Sequence, residues 1–231
     1  MIDLYFAATP NGWKITIMLE ECGLPYSVKP VDIGAGEQFR PEFLAISPNN
    51  RIPAIIDHDP PGGGEPISVF ETGAILMYLA EKTGRFLPHD LRERMSVLEW
   101  LMWQMAGLGP MLGQNGHFLL YAPEKLDYAI DRYRREADRL YGVLDRQLAR
   151  TDAYVAGEHY TIADMACFPW IITHNAQGID IAAFPHVARW FAEVRQRPAV
   201  KAATAVGRMA RPEEITADAK RVMMGIGEKQ A

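Results

Sequence analysis

Cysteine is nearly missing from this chain of 231 residues, which carries only Cys22 and Cys167. The two are far apart and have no partner spacing, so neither a disulfide framework nor a zinc site can be built from them. The six histidines show no H-x-x-x-H pair for one helix face, and no metal centre is expected. Long hydrophobic runs are missing as well. The longest, Gly73 to Ala80 and Met165 to Ile172, fall well short of the ~20 residues that a helix needs to cross a bilayer. Nor is positive charge in excess. Lysine and arginine number 24 against 29 aspartates and glutamates, a net charge of −5, whereas a non-specific nucleic-acid binder leans the other way. Met1-Ile2-Asp3-Leu4 has no basic segment followed by an apolar stretch, so no secretory signal is visible. These absences lead us to expect a soluble cytoplasmic protein with no membrane and no nucleic acid among its partners.

What is present divides in two. Ile2 to Phe6 is a short apolar run, and Trp13 to Cys22 carries Ile15, Leu19 and Cys22 at helical spacing before the stop Gly23-Leu24-Pro25. A second strand is expected from Tyr26 through Val28 to Val31 and Ile33, then a short helix over Pro41 to Ile46. Ala54 to Ile56 and Ile67 to Phe70 read as a hairpin around Pro60-Pro61-Gly62-Gly63-Gly64, followed by a helix from Glu71 to Lys82. After Thr83-Gly84 and a linker from Arg85 to Asp90, strand alternation disappears. From Leu126 to Leu148 apolar positions follow i, i+3, i+4, i+7 spacing, and further helices are expected over Ala163 to Gln177, Val187 to Gln196 and Ala199 to Val206. The pattern predicts an α/β domain over 1–83, an all-α domain over 91–206, and a tail over 207–231 with one frayed helix around Glu213 to Met224.

Several motifs could carry chemistry. Pro53 must start a strand, where a plain trans bond and a cis bond are both compatible with the spacing; a cis bond would turn the backbone of Ile52 toward an extended peptide. Phe70-Glu71-Thr72-Gly73 stands at a strand-to-helix junction. Its free N–H groups and Thr72 suit a carboxylate while Glu71 suits an ammonium, though the same residues serve as ordinary caps. Thr9-Pro10-Asn11-Gly12 precedes the first helix, where Thr9 and Asn11 can hold a thiolate or simply turn the chain. Thr161-Ile162-Ala163-Asp164 is a capping box, which makes Asp164 a structural residue and not a catalytic acid. Trp100 to Met111 is rich in methionine and aromatics, fitting either an adaptable pocket or a subunit core, and Gly107, Gly109 and Pro110 should end or bend that helix.

Taken together, Ile52-Pro53 before a strand, Phe70-Glu71-Thr72-Gly73-Ala74-Ile75 and Thr161-x-x-Asp164 resemble the glutathione transferase superfamily. Tyr5-Phe6-Ala7-x-Thr9-Pro10-Asn11-Gly12, Ser47-Pro48-Asn49-Asn50-x-Ile52-Pro53-Ala54-Ile55 and Gly107 to Asn115 narrow that resemblance to its Nu class. The resemblance runs from Ile2 to about Val206. It implies a thioredoxin-like N-terminal domain, a helical C-terminal domain, and a homodimer whose clefts bind glutathione or its disulfide. It also implies site residues. Ile52 would pair through its backbone with the tripeptide's cysteine beside a cis-Pro53. Glu71 and Thr72 would hold the γ-glutamyl end, where the family more often has serine for Thr72, and Gln38 and Arg51 the glycyl carboxylate. Thr9 and Asn11 would face the sulfur, and Arg132 would reach in from the partner subunit.

The chain departs from many superfamily members in having no serine or cysteine in the first loop, while Tyr5 falls inside the first strand. The thiol must then be activated by donors. Lowering a thiol pKa of ~8.5 by two units takes ~2.7 kcal/mol, within reach of a charge-assisted hydrogen bond of ~1.5–3 kcal/mol plus a helix terminus of ~0.3–1 kcal/mol. The activity expected first is glutathione-dependent reduction of disulfides, extending to organic hydroperoxides. Conjugation of glutathione to apolar electrophiles and a non-catalytic glutathione-binding role are the alternatives.

Overall fold

The computed structural model describes residues 1–207 and 216–224. Strands β1 (Ile2–Phe6), β2 (Tyr26–Pro30), β3 (Ala54–Asp57) and β4 (Ile67–Phe70) form one sheet in the order β2-β1-β3-β4. β1 and β2 run parallel, so a crossover must join them, and α1 (Pro10–Cys22) is that crossover. β3 lies antiparallel to both β1 and β4. A 3₁₀ turn (Glu37–Phe39) and the short α2 (Pro41–Leu44) lead into β3, and α3 (Thr72–Thr83) follows β4.

α1 starts at Pro10, earlier than its apolar spacing suggests, because Thr9 caps it and proline suits the first helical position. It ends at Gly23, whose φ of 65° allows Leu24 N–H to donate back to the Leu19 carbonyl. Every residue from Gly12 to Leu19 is buried. The helix is enclosed because the sheet and α3 cover one side while the C-terminal domain covers the other. No side chain would fit at Gly12, where a Cβ would sit 2.3 Å from the Ala7 carbonyl oxygen, so the first turn of α1 lies directly on the end of β1.

The second half is all helical: α4 (Leu91–Trp103), α5 (Gly109–Gly116), α6 (Asp127–Thr151), α7 (Ile162–Ile172), α8 (Pro185–Gln196), α9 (Pro198–Ala205) and α10 (Ala217–Met224). α7 and α9 pack against α1, so the two halves share one continuous core. The capping box forms at α7. Asp164, fully buried, accepts from Thr161 N–H and hydroxyl, and also from Val155 N–H and Trp190 Nε1. Burial pushes its carboxyl up to about 6 against those bonds.

Two local expectations need correction. β2 stops at Pro30 instead of running to Ile33. Val31 N–H still reaches the Phe6 carbonyl, but Asp32 then accepts from Gly34 and Ala35 N–H and turns the chain. α7 ends at Ile172, not Gln177, because the Trp170 carbonyl accepts from the Thr173 hydroxyl and the Gln177 amide. Of the two outcomes open at Gly107–Pro110, an end to the helix is not the one found. The helix widens into a π turn (Gln104–Leu108) that runs on into α5. In the tail, residues 213–215 of the expected helix lie outside the described residues. The described part is α10, with Ala219 and Val222 beside Gly34 and Gly36. Among the described residues no helix is long and apolar enough to cross a membrane.

Candidate active site

The starts of α1 and α3 open onto the same cleft of about 370 Å³, closed on one side by the loop before β3 and on the other by the π turn, α5 and Trp170 of α7. A helix start presents unpaired N–H groups, so two of them facing one space make it favourable to anions.

Asn11 lines this cleft. Its Oδ1 accepts from Trp170 Nε1 at 3.1 Å. An indole nitrogen only donates, so the amide's orientation is set and its Nδ2 hydrogens are the end left for a ligand. Thr9 is used differently. Its hydroxyl oxygen accepts from Gly12 N–H at 3.2 Å as the cap of α1, and it is not among the residues lining the cleft.

Across the cleft, Glu71 holds a φ of 67°, a conformation uncommon for a residue with a side chain. Its carboxylate accepts from Asn49 Nδ2 at 3.1 Å. Thr72, the first residue of α3, is buried; it accepts from Lys14 Nζ at 3.2 Å and donates to Met105 Sδ. The Ile52–Pro53 bond is cis, and both residues line the cleft ahead of the β3 ladder. Arg51 lies exposed at the rim, its carbonyl accepting from the Ser47 hydroxyl. The structure thus brings together Asn11, Arg51, Ile52, Pro53, Glu71 and Thr72. It does not bring Gln38 or Arg132 to the same walls. Gln38 is buried and donates to the Ile33 carbonyl, and Arg132 is exposed on α6.

Neither thiol reaches this space. Cys167 is fully buried within α7, and burial pushes its thiol well above the ordinary range. Cys22 is half-buried at the far end of α1, beside the Thr83 hydroxyl, and burial raises it too. Among the described residues no three His, Cys, Asp or Glu side chains are grouped to hold a metal ion.

Three groups escaped the reading of the sequence. Trp170 orients Asn11. Gln104 and Lys14 meet behind Thr72, where Lys14 Nζ donates to Gln104 Oε1 at 2.8 Å. Burial lowers the Lys14 ammonium to about 7, although Cys167 and Glu71 pull the other way. Lys14 had a faint signal, a lone charge in the otherwise uncharged stretch Trp13 to Leu19. The other two had none, since their roles depend on which helix ends meet.

Two family models match the chain: the Glutathione S-transferase N-terminal domain over residues 2–81 and the Glutathione S-transferase C-terminal domain over residues 105–198. The disulfide-bond oxidoreductase YfcG of Escherichia coli is 59% identical over 199 residues, covering 86% of this chain and 92% of its own. Among solved structures, a glutathione transferase family member from Pseudomonas fluorescens with two glutathione bound shares 45% identity at a TM-score of 0.82, covering 88% of this chain and 92% of its own. A Pseudomonas putida glutathione transferase with one glutathione disulfide bound per subunit shares 43% at a TM-score of 0.82, covering 89% and 91%.

Proposed function

The chain belongs to the glutathione transferase family, and on that premise we propose that it reduces small disulfides with glutathione, which supplies both sulfurs. The observation that carries the reading is a cleft rich in donors and free of any protein thiol. A reductase without its own nucleophilic sulfur must borrow one. Glutathione thiolate, held by Asn11 Nδ2 and the start of α1 (with Thr9 supporting that turn as its cap), attacks the substrate disulfide. One sulfur leaves as thiolate and a mixed disulfide with glutathione forms. A second glutathione thiolate then attacks the glutathione sulfur of that mixed disulfide, releasing the other substrate thiolate and glutathione disulfide. Two electrons pass from two glutathiones to one disulfide, in keeping with relatives solved with two glutathione or with glutathione disulfide bound.

In this reading the remaining groups bind the tripeptide. Glu71 and the α3 start take the γ-glutamyl ammonium and carboxylate, with Thr72 assisting. Ile52 pairs with its backbone beside Pro53, and Arg51 meets the glycyl carboxylate with Gln38 behind it. Leu91, Met95 and Met102 form an exposed apolar row along α4, which supports a homodimer in which Arg132 of one protomer reaches its partner's cleft. Methionine at the cleft wall (Met105) would accommodate varied substrate bodies, organic hydroperoxides included.

The test couples a small disulfide, glutathione and glutathione reductase. We expect turnover, and a Cys22→Ser/Cys167→Ser double variant should keep most of it. A folded double variant without activity would show that the chemistry runs through a protein thiol. Turnover only with an aryl halide would make the protein a conjugating transferase instead.

A further inference from the structure

Lys14 is 1% exposed, yet its two hydrogen-bond partners, the Thr72 hydroxyl and the Gln104 carbonyl, are both neutral. A buried ammonium without an anion is costly. Gln104 shows the same deficit from the other side. Lysine only donates, so Oε1 must be the Gln104 atom facing it, which leaves Nε2 as the free end. That Nε2 is buried with no partner and lies 2.7 Å from where a Cβ on Gly109 would project. Both residues line the cleft with Asn11, whose free end is likewise a donor. Asn11 and Lys14 sit three residues apart on α1 and so share a face. The three residues thus line one space in which Gln104 Nε2 has no partner and Lys14 has only neutral acceptors.

We propose that Lys14 is a positioning residue for the reaction, its ammonium being the buried positive charge that holds the ligand's sulfur as thiolate in this cleft. The inference rests on the reading that glutathione provides that sulfur. It differs from a purely structural role, in which Lys14 would only tie α1 and α3 to the π turn.

The other charged groups around Lys14 are satisfied elsewhere. On α1 itself, Glu20 accepts from Tyr26 and Glu21 pairs with Arg197. On α7, Asp164 is held by its capping bonds, and burial keeps Cys167 as a neutral thiol. On α3, Glu81 pairs with Arg94, while Lys82 and Tyr78 both meet Asp57. On α9, Lys201 donates to Gln196. The π turn and α5 carry no ionisable side chain. Among the described residues Glu71 is the one carboxylate that pulls on Lys14, and it already accepts from Asn49. A thiolate beside Lys14 would keep the ammonium protonated, and the ammonium would keep the sulfur ionised.

The experiment titrates the ultraviolet absorbance of the thiolate of bound glutathione in the parent, Lys14→Met and Lys14→Arg. In Lys14→Met we expect the thiol pKa to rise by about one unit or more, with tenfold or greater loss of disulfide-reductase kcat/KM at neutral pH. Binding of S-methylglutathione, which has no thiol, should weaken less than threefold. In the parent, kcat/KM should fall again on the alkaline side as Lys14 loses its proton. Lys14→Arg, permanently charged, should keep the low thiol pKa and lose that alkaline limb. An unchanged thiol pKa in Lys14→Met, with only a lowered melting temperature, would overturn the proposal. If Lys14→Met does not fold, an alkaline limb that persists in Lys14→Arg overturns it equally. Failure of the parent to bind glutathione or S-methylglutathione at all would instead strike at the proposed function.

Discussion

At the scale of single residues, two amides lining the cleft are pinned by their acceptor ends. Asn11 is pinned by the Trp170 indole and Gln104 by the Lys14 ammonium. Asn11→Ala should lower disulfide-reductase kcat/KM by roughly ten- to a hundred-fold, the loss of one charge-assisted hydrogen bond in the transition state. Stability should change by less than about 1 kcal/mol, since Thr9 and not Asn11 caps α1. Parallel measurement of turnover and thermal unfolding separates the two effects. Unchanged turnover with a lowered melting temperature would assign Asn11 to structure alone. Asn11 was legible because the stretch Ala7 to Gly12, at the start of α1, holds no serine or cysteine to compete as the nucleophile. Lys14 was not, because a lysine on a helix reads as a solvated face until a second domain is laid over it.

At the scale of elements, hydrophobic periodicity located the strands and most of the helices, and polar side chains decided where they end. The α7 boundary shows why sequence spacing falls short. No glycine or proline stands between Ile172 and Gly178, but the Gln177 amide bonds the Trp170 carbonyl and ends the helix. The start of α7 was readable, since Thr161 and Asp164 cap it through local bonds three residues apart. What spacing could not show is that Asp164 also accepts from Val155 and from the Trp190 indole on α8. Asp164→Ala should therefore cost more than a cap alone, about 3 kcal/mol or more, because it strands several buried donors. Denaturant unfolding of the variant measures this directly, and a loss near 1 kcal/mol would mean that the donors find other partners. Its folded pKa of about 6 lies above the ordinary 3.8, so the folded state binds the proton more tightly. The stability added by that proton is fully present below the unfolded pKa and falls away as pH rises through about 6. The difference between parent and variant should accordingly narrow from acid to neutral pH.

At the scale of the whole molecule, one chain leaves two features unused: the exposed row Leu91, Met95 and Met102 on α4, and Arg132 exposed on α6 outside the cleft. If the protein pairs through α4, Arg132 can serve the partner's site, and the two lesions Asn11→Ala and Arg132→Ala should complement. Each variant alone makes dimers with two impaired clefts. A mixed dimer places both lesions in one cleft and leaves the other intact. Random exchange puts half of the chains in mixed dimers, so an equimolar mixture should recover about a quarter of the parent's active sites. Activity is read after unfolding and refolding the two variants together, beside each refolded alone. Sedimentation should show a dimer for the parent, and a monomer for Met95→Asp/Met102→Asp. A fully active monomer, or a mixture no better than the mean of its two components, would remove Arg132 from the site.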